Sequence, residues 1–314
     1  MESAWKELST QLAKLLPSAH EHMLNHSLIN QGTKRSTLPL NRYNNIIPLD
    51  TNLVTLLSKK YINASHIQLP NTTHPFIISQ SPMHPNYYGP DCTQEFWQMI
   101  HQENPSTIVN LAKVENGYAG ASLYWPLNVN DVYQTETHTI ECLAIETLEK
   151  ECLIRRRLKV SAISNTTTKT NSNSNNNTAT SVELNHYHFE QWPNYDIATS
   201  STNTIKLLQH ILHERKELTE RNGATLCHCS GGVGRSGTFV AAVAAVEQLL
   251  CQEEREEEIT LPLRLYEIVR SMREQRHPWM VEGYEQFTFC GRLIEEMMAM
   301  SVTTTEDEST ASKV

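Results

Sequence analysis

Apolar side chains recur at helical spacing over residues 3–17, where Trp5, Leu8, Leu12, Leu15 and Leu16 form one stripe. This predicts an amphipathic helix that packs on the body of the domain. From about residue 53 to 160 the periodicity is mixed. Residues 61–64 and 76–78 read as short strands, 93–101 as a helix, and 107–112 as a buried strand entering a loop at Glu115-Asn116-Gly117. Residues 132–158 include stretches of alternation suited to antiparallel strands. The pattern then breaks. Within 161–181 Asn, Thr and Ser fill nearly every position, a composition that cannot form a core. Strand-like sequence resumes at 182–189, so the tract reads as a loop inserted between two strands. A helical pattern over 204–221 is closed by Asn222-Gly223, and a short strand follows at 224–228. A helix is predicted from 236 to 251, an acidic solvated stretch at 252–258, and helices over 263–275 and 283–298. The tail from 303 is polar and expected to fray. The predicted organisation is a helical segment over 1–30, one α/β domain over 31–300 carrying the 161–181 insertion, and a disordered tail over 301–314.

Hydrophobic residues are 39% of the chain, enough to bury a sizeable core, which excludes wholesale disorder. Lys and Arg number 26 against 35 Asp and Glu, a net charge of −9, so a nucleic-acid binder with a generally basic surface is not expected. Attraction for an anionic ligand has to come from a local positive site. The longest uninterrupted apolar run, 239–246, is far short of the roughly twenty residues a membrane span requires. The opening residues lack the build of a secretion signal, and the 7 cysteines are odd in number with no disulfide-framework spacing. Together these predict a reducing location, cytoplasmic or nuclear.

The candidate chemistry lies in His228-Cys229-Ser230-Gly231-Gly232-Val233-Gly234-Arg235-Ser236-Gly237-Thr238. A predicted strand delivers Cys229 to a glycine-rich loop that feeds a helix N-terminus. Glycines let successive N–H groups curl inward into an anion nest, and the helix start adds positive partial charge. Arg235 can close the ring around the same anion with a planar fork that suits two phosphate oxygens. Helix N-termini and nearby cations lower a thiol below its free value of about 8.5. Cys229 is therefore expected to be a thiolate at neutral pH, with the Ser236 hydroxyl placed to hydrogen-bond it. Thiolate, nest and guanidinium together imply attack on phosphorus and a cysteinyl-phosphate intermediate. Cys227-His228-Cys229 also raises a metal site, but zinc wants four suitably spaced ligands and no second pair is evident.

This segment resembles the signature loop of the cysteine-dependent, tyrosine-specific protein phosphatases of the non-receptor type, H-C-S-A-G-x-G-R-[ST]-G, with Gly231 in place of Ala. The resemblance spans about 38 to 298. Asn41-Arg42-Tyr43-Asn44-Asn45-Ile46-Ile47-Pro48 is similar to the family's phosphotyrosine-recognition loop. Tyr61-Ile62-Asn63-Ala64-Ser65, Ser79-Gln80-Ser81-Pro82, Phe96-Trp97, Tyr124-Trp125-Pro126, Arg273-Glu274-Gln275-Arg276 and Met280-Val281 follow in the family's order. The resemblance implies a highly twisted mixed β-sheet flanked by helices. It implies that Tyr43 stacks on the phosphotyrosine ring and sets a depth that leaves phosphoserine short of the thiolate. Asn45 stands where the family has an Asp that holds the substrate backbone.

Three departures bear on mechanism. The family's mobile acid loop reads W-P-D, its Asp protonating the leaving phenolate and later taking a proton from the attacking water; here the run is Trp192-Pro193-Asn194-Tyr195-Asp196. An amide is no proton donor, and general acid–base catalysis is worth roughly 10²–10⁴-fold. In an extended loop Asp196 would share a side with Asn194 and could take over the role; otherwise it is a solvated loop acid. Glu282 replaces the family's water-positioning Gln, and is either a base or a source of repulsion, while the second glutamine, Gln286, is retained. Glu115 matches a glutamate that braces the signature Arg, and Gly120 stands where a Lys is common. The expected catalytic set is Cys229, Arg235, Ser236 and Asp196. Tyr43, Asn45, Asn194, Ser230, Gly231, Gly232, Val233, Gly234 and Gln286 are expected to contact substrate. No metal or cofactor is called for, and the expected partners are phosphotyrosine-containing proteins. The alternatives are a phosphotyrosine-binding pseudoenzyme, impaired because Asn194 replaces the acid, and a broader phosphatase that also accepts phosphoserine.

Overall fold

The computed structural model describes residues 1–4, 6–7, 28–117, 120–163, 181–218, 223–251 and 260–311, with residues 301–311 described by backbone alone. The expected helix over 3–17 and the acidic stretch 252–258 lie largely or wholly outside these residues, as do residues 164–180 of the Asn/Thr/Ser tract. Eight strands form one mixed sheet: β1 (Ala64–Ile67), β2 (Phe76–Ser79), β3 (Thr107–Asn110), β4 (Val132–Gln134), β5 (His138–Leu148), β6 (Leu153–Ala162), β7 (Ser181–Phe189) and β8 (Thr225–His228). Their order is β1-β2-β8-β3-β7-β6-β5-β4. The central strands β2, β8, β3 and β7 run parallel, and both flanks are antiparallel. Helices bounded within the described residues include α1 (Asn30–Thr33), α2 (Thr93–Glu103), α3 (Ser201–Glu217), α4 (Gly234–Leu250), α5 (Leu261–Gln275) and α6 (Gly283–Ala311).

Side chains alternate across a strand, so each central strand feeds two cores. Ile77, Ile108 and Leu226 sit side by side on one face, beneath Phe96, Trp97 and Ile100 of α2. Phe76, Ile78, Val109 and Cys227 face the other way, toward α3, α4, α5 and α6. Helix α4 is apolar on every side from Phe239 to Val246 and is buried throughout, packed among α3, α5 and α6. The buried Arg215–Glu247 pair, Nε to Oε1 at 2.6 Å and Nη2 to Oε2 at 3.0 Å, ties α3 to α4. This rigid packing fixes the N-terminus of α4 at the C-terminal edge of the parallel strands, the usual ligand position in such sheets.

The element boundaries differ from the sequence reading in places. The strand expected at 61–64 begins only at Ala64, whose amide turns back to the Ile62 carbonyl at 3.0 Å instead of continuing an extended run, while the Asn63 side chain donates to Asn41 Oδ1 and the Ile46 carbonyl. Helix α3 starts earlier than 204: the Ser200 hydroxyl caps it by accepting from the Asn203 amide at 3.1 Å. Strands β6 and β7 reach into the edges of the polar tract and pair through Ser161 and Ser181. The helical backbone of α6 continues to Ala311, into the tail expected to fray.

Beneath the sheet's C-terminal edge, the Tyr124 hydroxyl is shared by His186 Nε2 and His228 Nε2. Burial lowers His228 to about 3 and His188 to about 4, and pushes His186 well below the ordinary histidine range. All three are neutral in the folded protein at pH 5.5, whereas in the unfolded chain they bind protons below about 6.5. Stability is therefore expected to fall as pH drops through that value. The upper bound for the three is about 4 kcal/mol per pH unit. Urea midpoints at pH 7.5 and 5.5 test this, and equal midpoints would contradict it.

Candidate active site

Strand β8 ends at His228, and the chain passes through Cys229 to Val233 before α4 begins at Gly234. Gly232 has φ +71°, a left-handed conformation, and a Cβ there would collide with the Ser79 carbonyl. With the loop so bent, the Gly232 amide donates to Cys229 Sγ at 3.3 Å. The outward carbonyls are held by a residue distant in the chain. Arg276, fully buried at the end of α5, donates from Nε to Gly232 O at 2.7 Å and from Nη2 to Gly231 O at 3.4 Å. It is itself fixed by Ser65 and Asn63. Pulling the carbonyls outward turns the following amides inward, which makes the nest.

Burial alone would push the Cys229 thiol up. The Arg235 guanidinium, the Ser236 hydroxyl and the amides of Ser236 and Gly232 outweigh that, and the thiol lies below its ordinary value. Cys227, two residues earlier on the same strand, meets mainly the burial and is pushed well above its ordinary value. The Ser236 hydroxyl is buried without a nitrogen or oxygen partner among the described residues and acts on these two sulfurs. Alkylation of Cys229 is expected to show a pH midpoint below that of the urea-unfolded chain, followed by mass spectrometry of its peptide. A midpoint at or above the free-thiol value of about 8.5 would contradict the charge arrangement.

Cys229 lies at the base of a pocket of about 210 Å³ lined by Tyr43, Asn45, Asn194, Gly231, Val233, Gly234, Arg235 and Gln286 from the expected set. Ile46, Tyr195, Trp279 and Glu282 complete the lining. Tyr43 stands at the wall with its hydroxyl 2.8 Å from Ser230 Oγ. A Cβ on Gly231 would come 2.8 Å from Ile46 Cδ1 and 3.2 Å from the Tyr43 ring, so glycine here lets both close on the loop. Asn45 is exposed at the mouth, its carbonyl accepting from His277 Nε2 at 3.0 Å. Gln286 is engaged at both ends: Oε1 accepts from the Glu282 amide at 2.9 Å, and Nε2 donates to the Asp196 carbonyl at 3.3 Å.

Arg235 is 4% exposed and donates from Nη1 to the carbonyls of Trp192 at 3.1 Å and Leu111 at 3.4 Å. Its Nη2 donates to Asn194 Oδ1 at 2.8 Å. A guanidinium only donates, so this bond orients the Asn194 amide with oxygen toward Arg235. The Asn194 Nδ2 is left buried with no partner among the described residues. Asp196 is not brought into the site. Tyr195 has φ +60°, so the loop turns there rather than running extended, and residues 194 and 196 do not share a side. Asp196 is exposed, absent from the pocket lining, and its Oδ1 accepts from the Ile197 amide at 2.7 Å. Glu115 is likewise exposed, and its side chain lies against Gly120, where any Cβ would strike it.

A family model described as protein-tyrosine phosphatase matches residues 37–296. The chain belongs to the protein-tyrosine phosphatase family. Tyrosine-protein phosphatase non-receptor type 13 of Mus musculus is 30% identical over 258 residues, which cover 81% of this chain and 9% of the relative. Receptor-type tyrosine-protein phosphatase eta of Gallus gallus is 28% identical over 82% of this chain and 16% of its own length. Tyrosine-protein phosphatase non-receptor type 20 of Rattus norvegicus is 27% identical over 82% of this chain and 54% of its own length. The chain thus spans less than two thirds of each of these relatives. Among the described residues no helix is long and apolar enough to cross a membrane. Within the protein-tyrosine phosphatase frame, sequence reasoning found the loop, Tyr43 and the Asn194 departure. It gave no role to Arg276, Trp279 or Tyr195. The only signal for Arg276 was its place in the Arg273–Arg276 run, since its partners lie as far as 213 positions away.

Proposed function

We propose that this protein hydrolyses phosphotyrosine on proteins through a cysteinyl-phosphate intermediate. The observation that carries the reading is the Cys229 sulfur accepting from the Gly232 amide at 3.3 Å in a pocket it lines together with Arg235 and Tyr43, an arrangement that pulls the thiol below its ordinary value. In the first step the Cys229 sulfur attacks phosphorus, the S–P bond forms and the P–O bond breaks with its electron pair going to oxygen, so that phenolate leaves and takes its proton from solvent. Arg235 and the inward amides of the 230–235 loop hold the three equatorial oxygens, where charge is greatest. The buried Asn194 Nδ2 supplies a further donor for one of them. In the second step water attacks phosphorus and the sulfur departs as thiolate, eased by the Ser236 hydroxyl. Asn45 at the mouth accepts from the peptide backbone of the substrate without the charge of a carboxylate. No metal or cofactor enters the scheme, because nest and guanidinium supply the positive charge. A cytoplasmic location and a role in signalling accord with this reading.

A second reading is favoured by one observation. The Asn194 amide grips Arg235 and offers no proton, so the same pocket suits a phosphotyrosine-binding protein with slow turnover. The deciding experiment is the steady-state rate on a phosphotyrosyl peptide, with the matching phosphoseryl peptide alongside and Cys229→Ser as the blank. Turnover of the phosphotyrosyl peptide alone supports the first reading. Binding without turnover supports the second, and equal rates on both peptides would overturn the selectivity assigned to Tyr43.

A further inference from the structure

This inference rests on the phosphatase reading of the site and concerns the group that handles the proton in its second step. Of the residues lining the pocket, Glu282 alone carries a carboxylate among the described residues. Asn194 can neither give nor take a proton usefully, and Asp196 faces away. Glu282 Oε2 stands 3.2 Å from the point a Cβ would occupy on Gly234, the first residue of α4. The Gln286 amide approaches the same point at 3.0 and 3.1 Å, so the carboxylate lines the pocket beside Gln286, at the start of α4.

The backbone that carries Glu282 is held in place at a conformational cost. Val281 has φ +58°, a left-handed conformation that is an outlier for a β-branched residue. Such strain persists only where surrounding structure over-determines it, and it clusters at functional sites. Here Arg273 donates to the carbonyls of Met280 at 2.8 Å and Val281 at 3.0 Å. The Val281 amide donates to Val233 O at 3.3 Å, and the Glu282 amide to Gln286 Oε1 at 2.9 Å. Four bonds thus strap a strained segment to the signature loop and to α5 and α6, with the side chain of Glu282 directed over the pocket.

We infer that Glu282 is the general base of phosphoenzyme hydrolysis, accepting the proton of the water that attacks phosphorus. The water oxygen forms the new O–P bond, and the P–S bond breaks with its electron pair going to Cys229. The proton passes to Glu282, and inorganic phosphate leaves with the thiolate regenerated. Partial burial pushes the Glu282 carboxyl above its ordinary range against the opposing pull of Arg235, which brings it closer to the working pH of a base.

The test uses 4-nitrophenyl phosphate, whose good leaving group makes the first step independent of an acid. Glu282→Gln is expected to retain a burst of one nitrophenolate per Cys229, formed at a rate close to the parent's. Its steady phase is expected to fall about 10²-fold, the low end for a general base. The acidic limb of the parent's pH–rate curve, where the base is protonated and the rate falls, is expected to flatten in the variant. Glu282→Asp is expected to recover part of the rate. A steady rate within twofold of the parent, with the acidic limb intact, overturns the proposal. So does joint loss of burst and turnover, which would assign Glu282 to the first step or to folding. A parent protein without burst or turnover overturns the phosphatase reading itself, and this result is distinguishable because it appears before any variant is made.

Discussion

Cys229→Ser is expected to lower turnover of a phosphotyrosyl peptide by at least about 10⁴-fold while leaving the peptide bound. The arrangement around the sulfur is suited to a thiol, whose ordinary pKa is within reach of neutrality. The combined pull of Arg235, Ser236 and the loop amides brings it below that value against the opposing effect of burial. A serine hydroxyl starts several pH units higher, so the same field leaves it protonated and weakly nucleophilic. The phosphate donors are untouched, because Arg235 keeps its own bonds to Trp192 and Leu111 and the loop keeps its brace from Arg276. Steady-state kinetics and calorimetric binding of the same peptide check both halves of the expectation. Residual activity within tenfold of the parent would mean that the nucleophile is another residue.

Asn194→Asp is expected to raise turnover of phosphotyrosyl substrates by about 10²-fold, near the low end for general acid–base catalysis. The position is already at the pocket wall, within 2.8 Å of Arg235. A carboxyl there can protonate the departing phenolate, which an amide cannot. The gain is placed at the low end because an ion pair with Arg235 would stabilise the ionised form and weaken the acid. A series of aryl phosphates with different phenol acidities gives the sharper measurement. The parent is expected to slow steeply as the leaving group becomes more basic, and the variant to show a shallower dependence. An unchanged slope would mean that protonation of the leaving group is handled elsewhere, and the role given to position 194 would fall. The leaving-group series reads the first step and the steady phase after the burst reads the second, so the gain from Asn194→Asp and the loss from Glu282→Gln are measured separately.

A feature of this protein is legible in its sequence to the extent that neighbouring residues alone create it. The signature loop was readable because its chemistry needs only contiguous residues: a strand to deliver Cys229, glycines to bend the backbone, and a helix start to follow. Gly232 at φ +71° and the α4 N-terminus at Gly234 agree with that reading. The central strands were readable because two-sided burial leaves short apolar runs such as Phe76-Ile77-Ile78. The β1 boundary differs because the Ala64 amide bonds to the Ile62 carbonyl, a local turn that a strand-like pattern of side chains does not reveal.

The amino-acid order by itself determined the family and the strand–loop–helix segment that carries Cys229, the proposed nucleophile, since nearest neighbours along the chain carry both. The tertiary structure alone decided which carboxylate lines the pocket. One left-handed turn at Tyr195 sends Asp196 to solvent, and another at Val281, held by bonds from Arg273, brings Glu282 over the pocket. Spacing along a loop cannot foretell either outcome, because the sign of one backbone dihedral sets the direction of every side chain beyond it, and that sign is imposed by partners far away in the chain.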